Sequence, residues 1–284
     1  MTENEIIIVD SVPEEEYLRI LHRALDYAFI SIPFTIDRMS LNNLEKQIIN
    51  IAKGRLAEGL LWFFFKHNSI KADFISCATP FYQTDKRDFL LNGLEWDQKN
   101  NFIYHEGNLL TDSNYTDLPA LVPNRHTKDQ WAKRTAYKFK NSRGVSFIFT
   151  FLKGADLITG QRGVPLFSIN LSTEQRTLLH KISIKYNGSA QEKKPFEEDA
   201  FRRRFFESQR LNDIISVNFL PALIISAYAD QRHWHLFQNT NHADFLNGTI
   251  KTKIKNSTCC IKELPSFLSL FPHLRDEIHY AKLI

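Results

Sequence analysis

Arg87-Asp88-Phe89-Leu90-Leu91-Asn92-Gly93-Leu94-Glu95-Trp96-Asp97-Gln98-Lys99 decides the fold. Asn-Gly between two apolar-rich runs is the strongest short signal for a hairpin closed by a two-residue type I′ turn. With Asn92 and Gly93 as the loop, Leu91 pairs with Leu94, Leu90 with Glu95, and Asp88 falls directly opposite Asp97. Opposed residues hold their Cβ atoms about 4.5–5.5 Å apart, a spacing at which like charges repel. The strand period of two puts Phe89, Leu91, Leu94 and Trp96 on one face and Glu95, Asp97 and Lys99 on the other. A carboxylate pair that close calls for a counter-charge, and a hard divalent cation with oxygen ligands is the usual one. Lys99 stands where its ammonium can orient a water on that cation.

Asp88 followed by Asp97-Gln98-Lys99 across a hairpin resembles the PD-(D/E)XK nuclease superfamily, which includes most type II restriction endonucleases. Asp88 matches the first acidic residue, and Asp97-Gln98-Lys99 matches the (D/E)-x-K half. Arg87 stands where the family often has proline, and the eight residues between Asp88 and Asp97 are a short gap for it. The family usually carries a helix ahead of these strands, often with a glutamate on its inner face. Residues 43–66 read NLEKQIINIAKGRLAEGLLWFFFK, with Leu44, Ile48, Ile51, Ala52, Leu56, Leu60 and Phe64 at helical spacing. Asn42 with Glu45 makes a capping pair, Asn68 supplies a stop, and Glu58 looks like the helix glutamate. A short strand is expected in Lys71–Ala78, which completes the family's core order of helix, strand, Asp strand and DxK strand.

The resemblance implies an α/β fold, a restriction-endonuclease-like mixed β-sheet of about five strands flanked by helices. It implies a Mg²⁺-dependent endonuclease that hydrolyses phosphodiester bonds in double-stranded DNA, working as a homodimer. Asp88 and Asp97 would bind the metal, with the backbone carbonyl of Gln98 as third ligand. Lys99 would orient the nucleophile, and Glu58 would steady a metal water or serve a second metal. Glu95 shares a face with Asp97, so another register makes it the ligand instead. A repair, recombination or phage-type nuclease, a DNA-binding module without activity, and a charged surface ribbon are the other readings.

The chain has 284 residues, 43% of them hydrophobic, enough for one large domain or two small ones. The expected division is an N-terminal helical segment over 1–40, a nuclease core over 41–190, and a region over 191–284 packed on that core. The absence of an 18-residue apolar run argues against a membrane helix, and the acidic start MTENEIIIVDSVPEEE lacks the basic region of a signal peptide. Cys77 is remote from the adjacent Cys259 and Cys260, which fits neither a disulfide framework nor a zinc site and suits a cytoplasmic protein. The net charge is only +4. It is concentrated in Arg125, Lys128, Lys133, Arg134, Lys138, Lys140 and Arg143, set against Asp129 alone. Such a run either tracks a phosphate backbone or forms a solvated helix face.

Elsewhere, residues 14–30 read as an amphipathic helix with a connector from Pro33, and Gly107–Asn124 as a loop. Lys128–Lys140 and Glu197–Arg210 read as helices. Val145–Leu152 is a continuous β-rich run, the pattern of a strand buried on both faces. Phe167–Leu171 is a further strand, and Pro221 breaks Ile214–Tyr228 in two. His233–Gln238 and Thr249–Lys255 read as strands, and Pro265–Lys282 as one or two short helices. His233, His235 and His242 lack a Cys or carboxylate at ligand spacing and read as polar surface. No nucleophile elbow, phosphate-binding glycine loop or dinucleotide fingerprint is present.

Overall fold

The computed structural model describes residues 5–35, 43–78, 87–103, 112–123, 145–154, 166–186, 196–218, 220–240, 244–245, 250–251 and 256–284. Within them the helices are α1 (Glu14–Thr35), α2 (Leu44–His67), α3 (Thr173–Tyr186), α4 (Glu198–Phe205) and the one-turn α5 (Leu211–Ile214). The strands are β1 (Ile7–Val9), β2 (Ala72–Asp73), β3 (Phe89–Leu91), β4 (Leu94–Ile103), β5 (Pro119–Pro123), β6 (Val145–Lys153) and β7 (Phe167–Ile169). They continue with β8 (Ile215–Val217), β9 (Ala222–Ala229), β10 (Gln238–Thr240), β11 (Asp244–Phe245), β12 (Ile250–Lys251), β13 (Asn256–Cys260) and β14 (Lys282–Leu283).

The fold is mixed α/β. Its centre is a seven-stranded sheet in the order β14-β1-β9-β6-β4-β3-β2. Only β4 and β6 run parallel; every other neighbouring pair is antiparallel. Seven strands replace the expected five or so because β1 and β14, from residues 7–9 and 282–283, complete one side. The hairpin is as the Asn-Gly pair dictates. Asn92 and Gly93 both have positive φ, 53° and 74°, the requirement of a type I′ turn. Leu91 pairs with Leu94, Leu90 with Glu95 and Phe89 with Trp96.

Two cores sandwich the sheet. β6 feeds both, with Ile148 and Leu152 on one face and Phe147, Phe149 and Phe151 on the other. On the first face lie α1, α2 and α3. On the second lies a small sheet, β10-β13-β5, which sits where helices were expected among the described residues. β5 and the 3-10 helix Asp112–Asp117 fall in the stretch read as loop. His233 and His235 lie in a 3-10 helix over Gln231–Leu236 rather than a strand. The segment after Pro265 forms 3-10 turns and then β14. The break at Pro221 separates β8 from β9.

The cap of α2 is Asn43, one residue beyond the expected Asn42; its side chain accepts the Lys46 N–H at 2.9 Å. The helix stops at Asn68, whose N–H and side-chain amide both donate to the Phe64 carbonyl. Its buried residues run right around the helix, including Phe63, Phe64 and Phe65, so it is a core helix packed on several sides. α1 lies along it at short range. Gly59 permits this, because a Cβ there would overlap the Ile20 Cγ2 methyl. Ile20 is buried and β-branched, so its χ1 has little freedom to yield.

Gly59→Ala is therefore expected to destabilise the protein by about 1–3 kcal/mol through overpacking. Adding Ile20→Ala removes the clash, so the double variant should lose less than the sum of the single losses in denaturant unfolding.

Candidate active site

The hairpin register directs Phe89, Leu91 and Trp96 into the helix-side core. The Trp96 ring stacks on Phe89 at 6.2 Å, and its indole N–H donates to the Leu91 carbonyl at 3.3 Å. Leu94 departs from the expected pattern: it follows the turn and is 52% exposed. Alternation then turns Asp97 and Lys99 to the opposite face, that of Ile103 in the second core. Asp97 is only 8% exposed. Lys99 Nζ lies 2.5 Å from Asp97 Oδ2 and 5.4 Å from the centre of the Phe147 ring.

Asp88 is not paired squarely against Asp97. The ladder ends at Phe89–Trp96, and the Asp88 N–H donates to the Trp96 carbonyl at 2.8 Å, an offset of one residue. Where β3 stops, its side chain takes over. Asp88 Oδ2 accepts the Gln98 backbone N–H at 2.6 Å, satisfying a donor that a longer β3 would have met. A residue's N–H and C=O point to the same side of a strand, so the Gln98 carbonyl is also directed to the Asp88 side. The Gln98 side chain points away and donates to Thr150 Oγ1 at 2.9 Å.

Glu58 arrives from α2. It is ion-paired with Arg55, whose guanidinium also covers the Tyr27 ring at 3.9 Å. Burial pushes the Asp88 carboxyl well above the usual carboxylate range, and the negative charges of Asp97 and Glu58 push it further. Lys99 and the Gln98 N–H pull the other way without cancelling them. Asp88, Asp97, Lys99 and Glu58 therefore share one electrostatic neighbourhood. Glu95 stands apart from it, ion-paired with Arg87 at the position where the family pattern often has proline.

The donors suit a hard cation in kind: oxygen only, with negative charge in excess. Among the described residues no three His, Cys, Asp or Glu side chains converge closely enough to hold a metal ion. Mg²⁺ is ordinarily bound by one or two carboxylates and completes its shell with water and substrate phosphate. Asp88 and Asp97 are the two carboxylates that could serve such an ion.

The basic run Arg125, Lys128, Lys133, Arg134, Lys138, Lys140 and Arg143 lies outside the described residues, as does His242. His233 Nδ1 is 2.9 Å from Asp230 Oδ1, a local contact within its turn. Sequence reasoning overlooked a cleft of about 400 Å³ between α1 and α2 that opens at Glu58 and Asp88. Tyr27, Trp62, Phe63 and Phe74 contribute aromatic surface to it. Its signal was present in the sequence as Arg55, Glu58, Trp62 and Lys66, spaced three to four apart along one face of a helix.

In comparisons with known proteins, no family model, curated protein or solved structure matches the chain. The family resemblance rests on the residues themselves. Among the described residues no helix is long and apolar enough to cross a membrane.

The raised Asp88 carboxyl has a pH consequence. Between the ordinary carboxylate value of 3.8 and its folded value, the native state binds more proton than the unfolded chain. Stability therefore falls as pH rises through that window. Asp88→Asn keeps an oxygen for the Gln98 N–H and cannot ionise. Without divalent cation, the wild type should lose thermal stability relative to Asp88→Asn as pH rises above the ordinary carboxylate value of 3.8. A pH-independent gap between their melting temperatures would remove this account of Asp88.

Proposed function

We propose that this chain is a Mg²⁺-dependent endonuclease acting on double-stranded DNA, of restriction type and working as a homodimer. The observation that carries the proposal is the half-buried Asp88, whose carboxyl feels the charges of Asp97, Glu58 and Lys99, with Lys99 paired to Asp97. The order α2, β2, β3 and β4 is the one that the PD-(D/E)XK resemblance anticipates, with Glu58 on α2, Asp88 just before β3, and Asp97 and Lys99 on β4.

Asp88 and Asp97 would hold the cation, and the Gln98 carbonyl is directed to the same side. When bound, the cation supplies positive charge to the scissile phosphate and lowers the pKa of water. Asp88 must give up any proton it holds before binding, so acid opposes loading. Lys99 keeps its ammonium against Asp97 in the free protein. With Asp97 engaged by a cation, Lys99 can turn to the attacking water and to the charge that develops on phosphate. Glu58, balanced by Arg55, orients a water at the rim. Lys and Arg in the Arg125–Arg143 run would contact backbone phosphates.

A second reading has its own supporting observation. Asp88 caps a strand N–H and Asp97 pairs with Lys99, so the same residues can serve as a self-satisfied surface ribbon. Cation binding separates the two. For a nuclease, Mg²⁺ at about a hundred times its dissociation constant adds about 2.7 kcal/mol of stability. Asp88→Asn should lose that gain. A ribbon shows no such response.

Plasmid DNA should be nicked with Mg²⁺ and left intact in EDTA. Asp88→Ala and Asp97→Ala should each abolish cutting, and Lys99→Ala should slow it by roughly 10²–10³-fold. Glu95→Ala should be milder, because its partner is Arg87. Undiminished cleavage in EDTA, or full activity in Asp97→Ala, would overturn the proposal.

A further inference from the structure

The cleft between α1 and α2 ends at Asp88 and Glu58, yet neither the cation nor Lys99 needs it. Its chemistry is divided. Arg19, Arg55 and Arg87 are committed to Glu16, Glu58 and Glu95. Arg23 and Lys66 are exposed and make no ion pair among the described residues. Trp62, which lines the same cleft, is 42% exposed, one of few large hydrophobic side chains left to solvent among the described residues. Phe74 stacks beneath its indole at 5.5 Å with an interplanar angle of 18°, so the ring is fixed from one side and its exposed area lies elsewhere.

We propose that this cleft binds an unpaired stretch of a nucleic-acid strand, one base stacking on Trp62 and the flanking phosphates meeting Arg23 and Lys66. This inference rests on the nuclease reading and names the substrate it prefers, DNA carrying a single-stranded end or flap beside the duplex. Four observations converge on it. A supported aromatic face is the platform that single-strand binders use, because every base has a π-face and only an unpaired base exposes it fully. The exposed cations Arg23 and Lys66, which also line the cleft, suit a backbone that carries one charge per nucleotide. A cavity of about 400 Å³ is of small-molecule size and too small to admit a duplex. The cleft also leads to Asp88, so a strand lying in it is delivered to the carboxylates.

The test uses the full chain, a dT15 oligonucleotide, a blunt duplex, and the same duplex with a dT tail. Affinities are measured in EDTA over a range of salt concentrations, and cutting is measured in Mg²⁺. Wild type should prefer the tailed duplex to the blunt one, and unlabelled dT15 should quench tryptophan emission. Trp62→Ala should reduce the preference for tailed over blunt DNA by roughly 5- to 150-fold. Trp62→Phe should keep most of the preference while losing the quenching. Arg23→Ala with Lys66→Ala should lower the slope of log affinity against log salt on dT15 by roughly 0.7 for each lost contact. A preference unchanged in Trp62→Ala, or quenching by dT15 that is as large in Trp62→Phe as in wild type, overturns the proposal. The two readings fail separately: cutting of blunt and tailed DNA alike, indifferent to Trp62, refutes the cleft and leaves the nuclease. Trp62-dependent dT15 binding without any metal-dependent cutting sustains the cleft as a binding site and refutes the nuclease.

Discussion

The turn at Asn92 and Gly93 sets the register from which the site is built. Both residues sit at positive φ, and the two-residue loop leaves only one pairing of β3 with β4. That pairing sends Phe89, Leu91 and Trp96 under α2 and carries Asp97 and Lys99 to the other face. A slip of one residue would reverse these orientations, placing Asp97 among the aromatic rings under α2 and turning Trp96 to the face that carries Lys99. Core packing and site chemistry therefore impose the same register.

Much of this was legible because its signals are local. The Asn-Gly turn, the stop at Asn68, the two-faced burial of Val145–Leu152 and the break at Pro221 are each decided within a few residues. The edges of the sheet were not legible. Ile7–Val9 and Lys282–Leu283 are too short to carry a pattern, and their strand character comes from partners more than 200 residues away. β13 reads Asn-Ser-Thr-Cys-Cys, which looks like surface, yet Asn256, Ser257 and Thr258 are buried against β5 and β10. α3 was overlooked although its start was readable. Ser172 and Gln175 form a reciprocal capping box, each accepting the other's backbone N–H.

The site shows the same division. Counting outward from the turn brought Asp88 near Asp97, but an unbroken ladder does not foresee the one-residue offset that lets Asp88 cap Gln98. Glu58 was reached only through the family pattern, because contact between a helix and a strand end depends on tertiary packing. The Arg87–Glu95 pair joins residues eight apart across the hairpin and could not be read from the register, which sets Arg87 opposite Gln98; it forms where the ladder has ended.

The spare negative charge links these features. Three carboxylates meet near one lysine, and two of them are satisfied within the chain: Asp97 by Lys99, and Glu58 by Arg55. Asp88 has only a backbone N–H, and it is the group whose carboxyl is driven toward the proton-bound form. A fold selected for stability alone would place an amide or an apolar residue there, since an underpaired buried charge costs more than the hydrogen bond it makes. Such local inconsistencies concentrate at functional sites. Under the proposed function the same imbalance would favour a cation, because binding would offset the repulsion that Asp97 and Glu58 exert on Asp88.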